Sequence, residues 1–233
     1  MKDSKKYSQK IKKLFSELKR QPGKIDKPDY DDPIEALIYA TISEHLSLSA
    51  AKAAYKKLNS HFVDFNDLRI SRPEEAVEVL GSTRPNINKI AQTLNDTLQA
   101  IFAKYDRPSL TELKEIGKRP AREILEKLEG ISPFVIDYVV LTGLKGHAVP
   151  LTQKMIDYLK ACDNVHPDAE EKDITGFLER QVSASNTYVF YVLLRQASES
   201  CKKNVKKTAK KKVFVKKTES KTTTKKKVKK KKK

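Results

Sequence analysis

The residues with a chemical use beyond packing converge on Leu128-Glu129-Gly130-Ile131-Ser132-Pro133. This segment interrupts one amphipathic helix, and Pro133 opens the next. The fixed φ of proline suits a first helical position, where its missing N–H is not needed. Gly130 keeps the turn between the two helices tight. The backbone N–H groups of the turn, with those opening the second helix, form a neutral socket that a phosphate can occupy. A glycine turn between helices is also a common structural corner, so the remainder of the chain must decide what the socket holds.

Charge is the first discriminator. The chain has 233 residues and a net charge of +18, very unevenly spread. Residues 202–233 hold eighteen lysines and one acid, Glu219, whereas the preceding 201 residues hold 30 basic and 29 acidic groups. The body therefore reads as a nearly neutral globular domain over 1–201 with a polycationic tail. The tail cannot bury a core, and its composition predicts disorder until it meets a polyanion. Nucleic acid fits best, because neutralised phosphates release condensed counterions. An anionic membrane offers the same charge, but no amphipathic helix or lipidation signal accompanies the lysines.

No apolar run reaches transmembrane length, and the N-terminal residues lack the apolar core of a signal peptide. Cys162 and Cys201, the only cysteines, cannot supply a disulfide framework or a four-ligand metal or iron–sulfur site. No cofactor or metal is expected. These features point to an intracellular protein of cytoplasm and nucleoid, or of a nucleus.

Helical periodicity positions the socket. Tyr7, Ile11, Leu14, Phe15 and Leu18 mark a first helix. Asp32-Pro33 caps a second, about Ile34 to Leu46, with Leu37, Ile38, Thr41 and Ile42 inward. Further helices are predicted at Ser49–Leu58, Pro73–Val79 (ended by Gly81), Asn86–Tyr105, Leu110–Leu113 and Arg119–Leu128. Asn66–Leu68 is too short to assign. The hairpin's second helix runs to about Leu144, and Lys154–Lys160, Ile174–Gln181 and Tyr188–Ser198 follow. No sustained strand alternation occurs, so the fold class is all-α.

The order of these features resembles the helix-hairpin-helix base-excision DNA glycosylases of the endonuclease III superfamily, over about residues 30 to 200. IEALIYATISEHLS resembles an early family helix that ends in a Ser-x-Gln-like motif, here Ser43-Glu44-His45. Gly81-Ser82-Thr83-Arg84-Pro85-Asn86 stands where the family has a glycine turn before a long helix. LEGISPFVIDYVVL resembles LPGVGPKTAxxVL, and VPLTQKM falls at a Pro-Val-Asp-Thr-His stretch. The resemblance implies two helical lobes, roughly 45–145 and the flanking segments, with duplex DNA gripped across a cleft. It assigns contacts to Gly130, Ile131, Ser132, His45, Arg84, Asn86 and Lys154, of which His45 takes the place of a side chain that fills the gap left by a flipped base.

The departures concern catalysis. The Schiff-base lysine of bifunctional members corresponds to Phe134, and the family's essential aspartate to Thr152. A hydroxyl carries no negative charge at neutral pH, so it can neither activate the nucleophile nor stabilise a cationic sugar. Asp137, Asp157 and Glu44 are the candidate substitute acids, each against the plainer role of a solvated or capping residue. The second hairpin glycine is Ser132. Cys201 stands where many relatives begin an iron–sulfur loop.

The expected function is DNA binding on a glycosylase scaffold without ordinary glycosylase or lyase chemistry. The alternatives are a monofunctional glycosylase with a relocated acid and a nucleoid-type packing protein in which only the tail acts. Because Phe134 has no amine to form a Schiff base, borohydride trapping on abasic-site duplexes should yield no adduct at residue 134. Peptide mapping of trapped material checks this, and an adduct within 1–201 would restore lyase chemistry to the body.

Overall fold

Asp32 starts the helix around which the others assemble. Its carboxylate accepts the Ile34 N–H at 2.9 Å, Glu35 returns a bond to the Asp32 N–H, and Pro33 fills the first turn. The resulting helix α2 (Pro33–His45) is buried on nearly every face, from Pro33 and Ile34 through Ala36–Ser43. A helix apolar all round belongs at the centre of a core.

The computed structural model describes residues 4–20, 25, 27–83 and 86–201. Arg84 and the lysine-rich segment 202–233 lie outside the described residues. Before α2 comes α1 (Ser4–Leu18). After it come α3 (Leu48–His61), α4 (Phe65–Ile70), α5 (Pro73–Leu80) and α6 (Ile87–Tyr105). A 3₁₀ turn, Thr111–Lys114, leads to the hairpin helices α7 (Lys118–Leu125) and α8 (Pro133–Tyr138). Then follow α9 (Gln153–Ala161), α10 (Glu171–Gln181) and α11 (Thr187–Ser200). No strand occurs among the described residues, and none of their helices is long and apolar enough to cross a membrane. The all-α expectation holds.

Helices α3, α5 and α6 pack in succession, with α4 against α6; α1 packs on α10 and α11, and α9 on α11. Between these groups α2 touches α3, α6 and α8.

Three elements differ from the sequence expectation. The stretch around Asn66–Leu68 is a full helical turn and a half, because Asp64 accepts the Asp67 N–H at 2.7 Å and Asp67 accepts the Val63 N–H at 3.1 Å. Two carboxylates thus satisfy donors that a short helix leaves open. Helix α7 stops at Leu125, three residues before the expected end. There Lys127 and Leu128 bond three residues back, to Ile124 and Leu125, and tighten the last turn. Finally, the second hairpin helix widens into a π-turn, Val139–Gly143, instead of running as an α-helix to Leu144. Gly143 meets Pro33 there: a Cβ on Gly143 would lie 3.1 Å from the Pro33 Cα.

One buried cation ties four helices together. The Arg195 side chain, 2% exposed, donates to the Ser43 carbonyl, to the Leu46 carbonyl at 2.8 Å, to the Tyr191 hydroxyl at 3.0 Å and to Glu199 at 3.1 Å. Glu199 in turn accepts the Leu48 N–H at the start of α3. The guanidinium also stands 5.4 Å from the Phe134 ring centre on α8. Replacing it leaves two carbonyls, a hydroxyl and a carboxylate without their donor. Arg195→Met should therefore lower the unfolding free energy by about 3–5 kcal/mol, as for other broken buried pairs. Denaturant titration followed by circular dichroism measures this, and a loss below about 1 kcal/mol would mean that the neighbours find other partners.

Candidate functional site

The turn between α7 and α8 is open at Gly130. Its φ is +79°, a left-handed value that glycine adopts without strain, and it is exposed. A Cβ built there meets nothing within 4 Å, so the space above the turn is free for a ligand. Among the described residues, no backbone carbonyl accepts the N–H of Gly130 or Ser132, whereas the Ile131 N–H is turned toward the Leu128 carbonyl in a weak hydrogen-bonded turn. Ser132 has φ −79°, so the residue that replaces the second glycine is in an ordinary extended conformation. Its hydroxyl caps α8 by accepting the Val135 N–H at 3.3 Å and donates to Glu44 Oε2 at 2.9 Å. The turn is thereby fastened to the end of α2.

The space beside Phe134 is filled. Phe134 is 2% exposed and lies 6.3 Å from the Tyr138 ring and 6.4 Å from the Tyr191 ring. With the Arg195 guanidinium over the same ring, side chains fill the surroundings of Phe134. Thr152 caps α9 through its carbonyl, which accepts the Met155 and Ile156 N–H groups, and is itself buried. Neither Phe134 nor Thr152 lines either of the two clefts described below.

The candidate acids go to three different places. Asp137 is buried on another side of α8 and lines a cleft of about 760 Å³ formed by α7, α8 and one side of α10. Burial pushes its carboxyl up to about 7, against the opposing pull of Arg122, whose guanidinium is 2.7 Å away. Asp157 is exposed on α9, where it accepts the Gln153 amide at 2.8 Å. It shares a groove of about 460 Å³ with Lys154, Ser47 and Cys201. Glu44 is held by Ser132, and His45 Nε2 lies 3.9 Å from the same carboxylate oxygen. Burial, reinforced by the charge of Lys89 against that of Glu44, lowers the His45 pKa and favours the neutral imidazole.

The structure thus gathers Ser132, Glu44 and His45 and sets Lys89, on the first turn of α6, within their electrostatic field. Asn86, exposed with φ 62°, stands at the start of that helix. Lys154 belongs to the neighbouring groove instead. Sequence reasoning overlooked Arg195, whose signal was a lone cation in the apolar run Tyr188–Leu194 with an acid four residues later. It also missed that Cys162 and Cys201, distant along the chain, end the packed helices α9 and α11. Burial raises the Cys162 thiol pKa, and the neighbouring Cys201 adds to the rise. Among the described residues no three His, Cys, Asp or Glu side chains converge as a metal site.

No family model matches the sequence, and no curated protein matches it at a significant level. The three-dimensional comparison is different. A non-covalent endonuclease III–DNA complex aligns with a TM-score of 0.65 at 16% identity, over 82% of this chain and 85% of that one. The H. pylori 3-methyladenine DNA glycosylase MagIII, bound to 1,N6-ethenoadenine, aligns at 0.63 and 15%, over 83% of this chain and 97% of that one. A thermostable thymine-DNA glycosylase aligns at 0.59 and 15%, over 84% and 85%. At these identities the shared property is the fold.

Asp137 makes a pH dependence measurable. In the folded chain its carboxyl titrates near 7, above the unfolded value of 3.8. The native state then holds a proton that the unfolded state releases, so this contribution to stability is complete below the unfolded pKa and is lost as pH rises through 7. Asp137→Asn should flatten that decline. Denaturant unfolding at about pH 5 and about pH 8 for both proteins checks it, and equal pH profiles would mean that Asp137 is ionised throughout.

Proposed function

We propose that this chain, which has the fold of the helix-hairpin-helix DNA glycosylases, binds duplex DNA and performs no ordinary base excision. The observation that carries the reading is the exposed Gly130 turn, in which the Gly130 and Ser132 N–H groups have no backbone acceptor among the described residues. Main-chain donors of this kind suit a phosphate, because they supply hydrogen bonds and a favourable dipole without a side chain. The endonuclease III and MagIII structures contain DNA or a damaged base, which supports nucleic acid as the ligand class here. The lysines of residues 202–233 supply long-range attraction. Chemistry is left out of the proposal because Phe134 and Thr152 offer neither amine nor carboxylate, and Arg195 and Tyr191 pack against the Phe134 ring.

The second reading, a glycosylase with a relocated acid, draws on Asp137, which is near half-protonation at neutral pH as general acids often are. Its cleft argues the other way. Glu126, Glu170, Glu171 and Glu179 ring it, and their charge repels a phosphate backbone.

Binding and charge are separated by titration. Full-length affinity should fall with salt at about 0.9 log units per log unit for each phosphate neutralised. A chain ending at Cys201 should lose most of that slope while keeping weaker binding. In that shorter chain Gly130→Val should abolish the residual binding, since the side chain enters the free space above the turn and a left-handed φ costs it about 1–2 kcal/mol. Helicity should be unchanged. Equal affinities with and without the substitution would remove the hairpin from the interface and leave the lysines alone in it.

A further inference from the structure

The cleft above Asp137 has an electrostatic character that DNA binding does not use. Its lining contains five carboxylates, Glu126, Asp137, Glu170, Glu171 and Glu179, against two cations, Arg122 and Lys172. Arg122 is divided between them, giving its Nε–H to Glu126 at 3.0 Å while facing Asp137 at 2.7 Å. The Asp137 side chain is 5% exposed, and its Oδ1 accepts no well-directed hydrogen bond. Burial and the proximity of Glu44 raise the Glu171 pKa, so the cleft's negative field is continuous with the end of α2. Pro133 and Ile136 add an apolar wall to this lining. A ligand for such a place carries several positive charges around an apolar centre.

Residues 202–233 offer that chemistry around Val205, around Val213–Val215 and around Val228, and the middle one has the largest apolar centre. Within residues 202–233 the only aromatic side chain is Phe214, set in Lys210-Lys211-Lys212-Val213-Phe214-Val215-Lys216-Lys217. We propose that this segment docks in the cleft, with Phe214 on Pro133 and Ile136 and the flanking ammonium groups on the rim carboxylates. Lysine stems suit the arrangement, since their methylenes can lie along apolar surface while the charged heads reach outward. Reach permits it: Phe214 is thirteen Cα-to-Cα steps from Cys201, a span of up to roughly 45 Å. A domain of this size has a radius of gyration of about 16 Å. Docking holds part of the lysine charge against the body, and a polyanion must compete for it.

The chain has no tryptophan, so a full-length Phe214→Trp variant carries one indole reporter. Without DNA and at low salt, its emission should be blue-shifted from that of a solvated indole and should not change on dilution. Combining Glu170→Gln, Glu171→Gln and Glu179→Gln in the same chain should move the emission to the solvated value, with helicity unchanged by circular dichroism. Solvated emission at the outset overturns the proposal. So does a blue shift that survives the three substitutions, which puts the segment elsewhere, or one that vanishes on dilution, which puts it on a second copy. No DNA is present, so this outcome is independent of whether the Gly130 turn binds phosphate.

Discussion

A single guanidinium without access to water sets the geometry of the centre of this protein. Arg195 cannot lose its proton at any ordinary pH, so its charge must be matched where it stands. Matching it requires the α2 terminus to present the Ser43 and Leu46 carbonyls, and α11 to present Tyr191 and Glu199. The carbonyl end of α2 is also the negative end of its dipole, which adds to the match. Glu199 is then placed to hold the first turn of α3. Moving any of these helices would strand a charge, so they are placed together.

The same arrangement governs what the site can do. Phe134 faces Arg195, and a lysine at that position would bring a second cation beside a buried first one. The environment of residue 134 is built for a neutral aromatic ring. On another side of α8, burial favours the neutral form of Asp137 against the pull of Arg122, and Glu179 and Glu171 of the cleft add to it. One short helix therefore separates an electropositive interior from an electronegative cleft.

Much of this was legible in the order of residues, and the parts that were not share a cause. The caps of α2 and α5 were readable because Asp32-Pro33 and Pro73 through Gly81 act on their own neighbours. The Gly130 turn was readable for the same reason, since its left-handed φ is a local demand. The π-turn was not, because it follows a contact between Gly143 and Pro33 across the fold. Arg195 and the filled space at Phe134 were not, because two of the guanidinium's partners, the Ser43 and Leu46 carbonyls, lie about 150 residues away at the end of α2. The protonation of Asp137 depends on α10, which its own surroundings in sequence do not announce. Helix α4 escaped notice since two aspartates bonding each other's turns have no periodic signature.

The hairpin's exposed donors are amides of the main chain, and this makes the turn indifferent to most of what alters a protein surface. An amide N–H does not titrate in the physiological range, is not acetylated or oxidised, and is present whichever side chain the residue carries, proline excepted. The geometry that aims these groups depends on the φ of Gly130 and on the Ser132–Glu44 bond, and on neither Phe134 nor Thr152. The shape of the turn is thus independent of the chemistry of the side chains at 134 and 152.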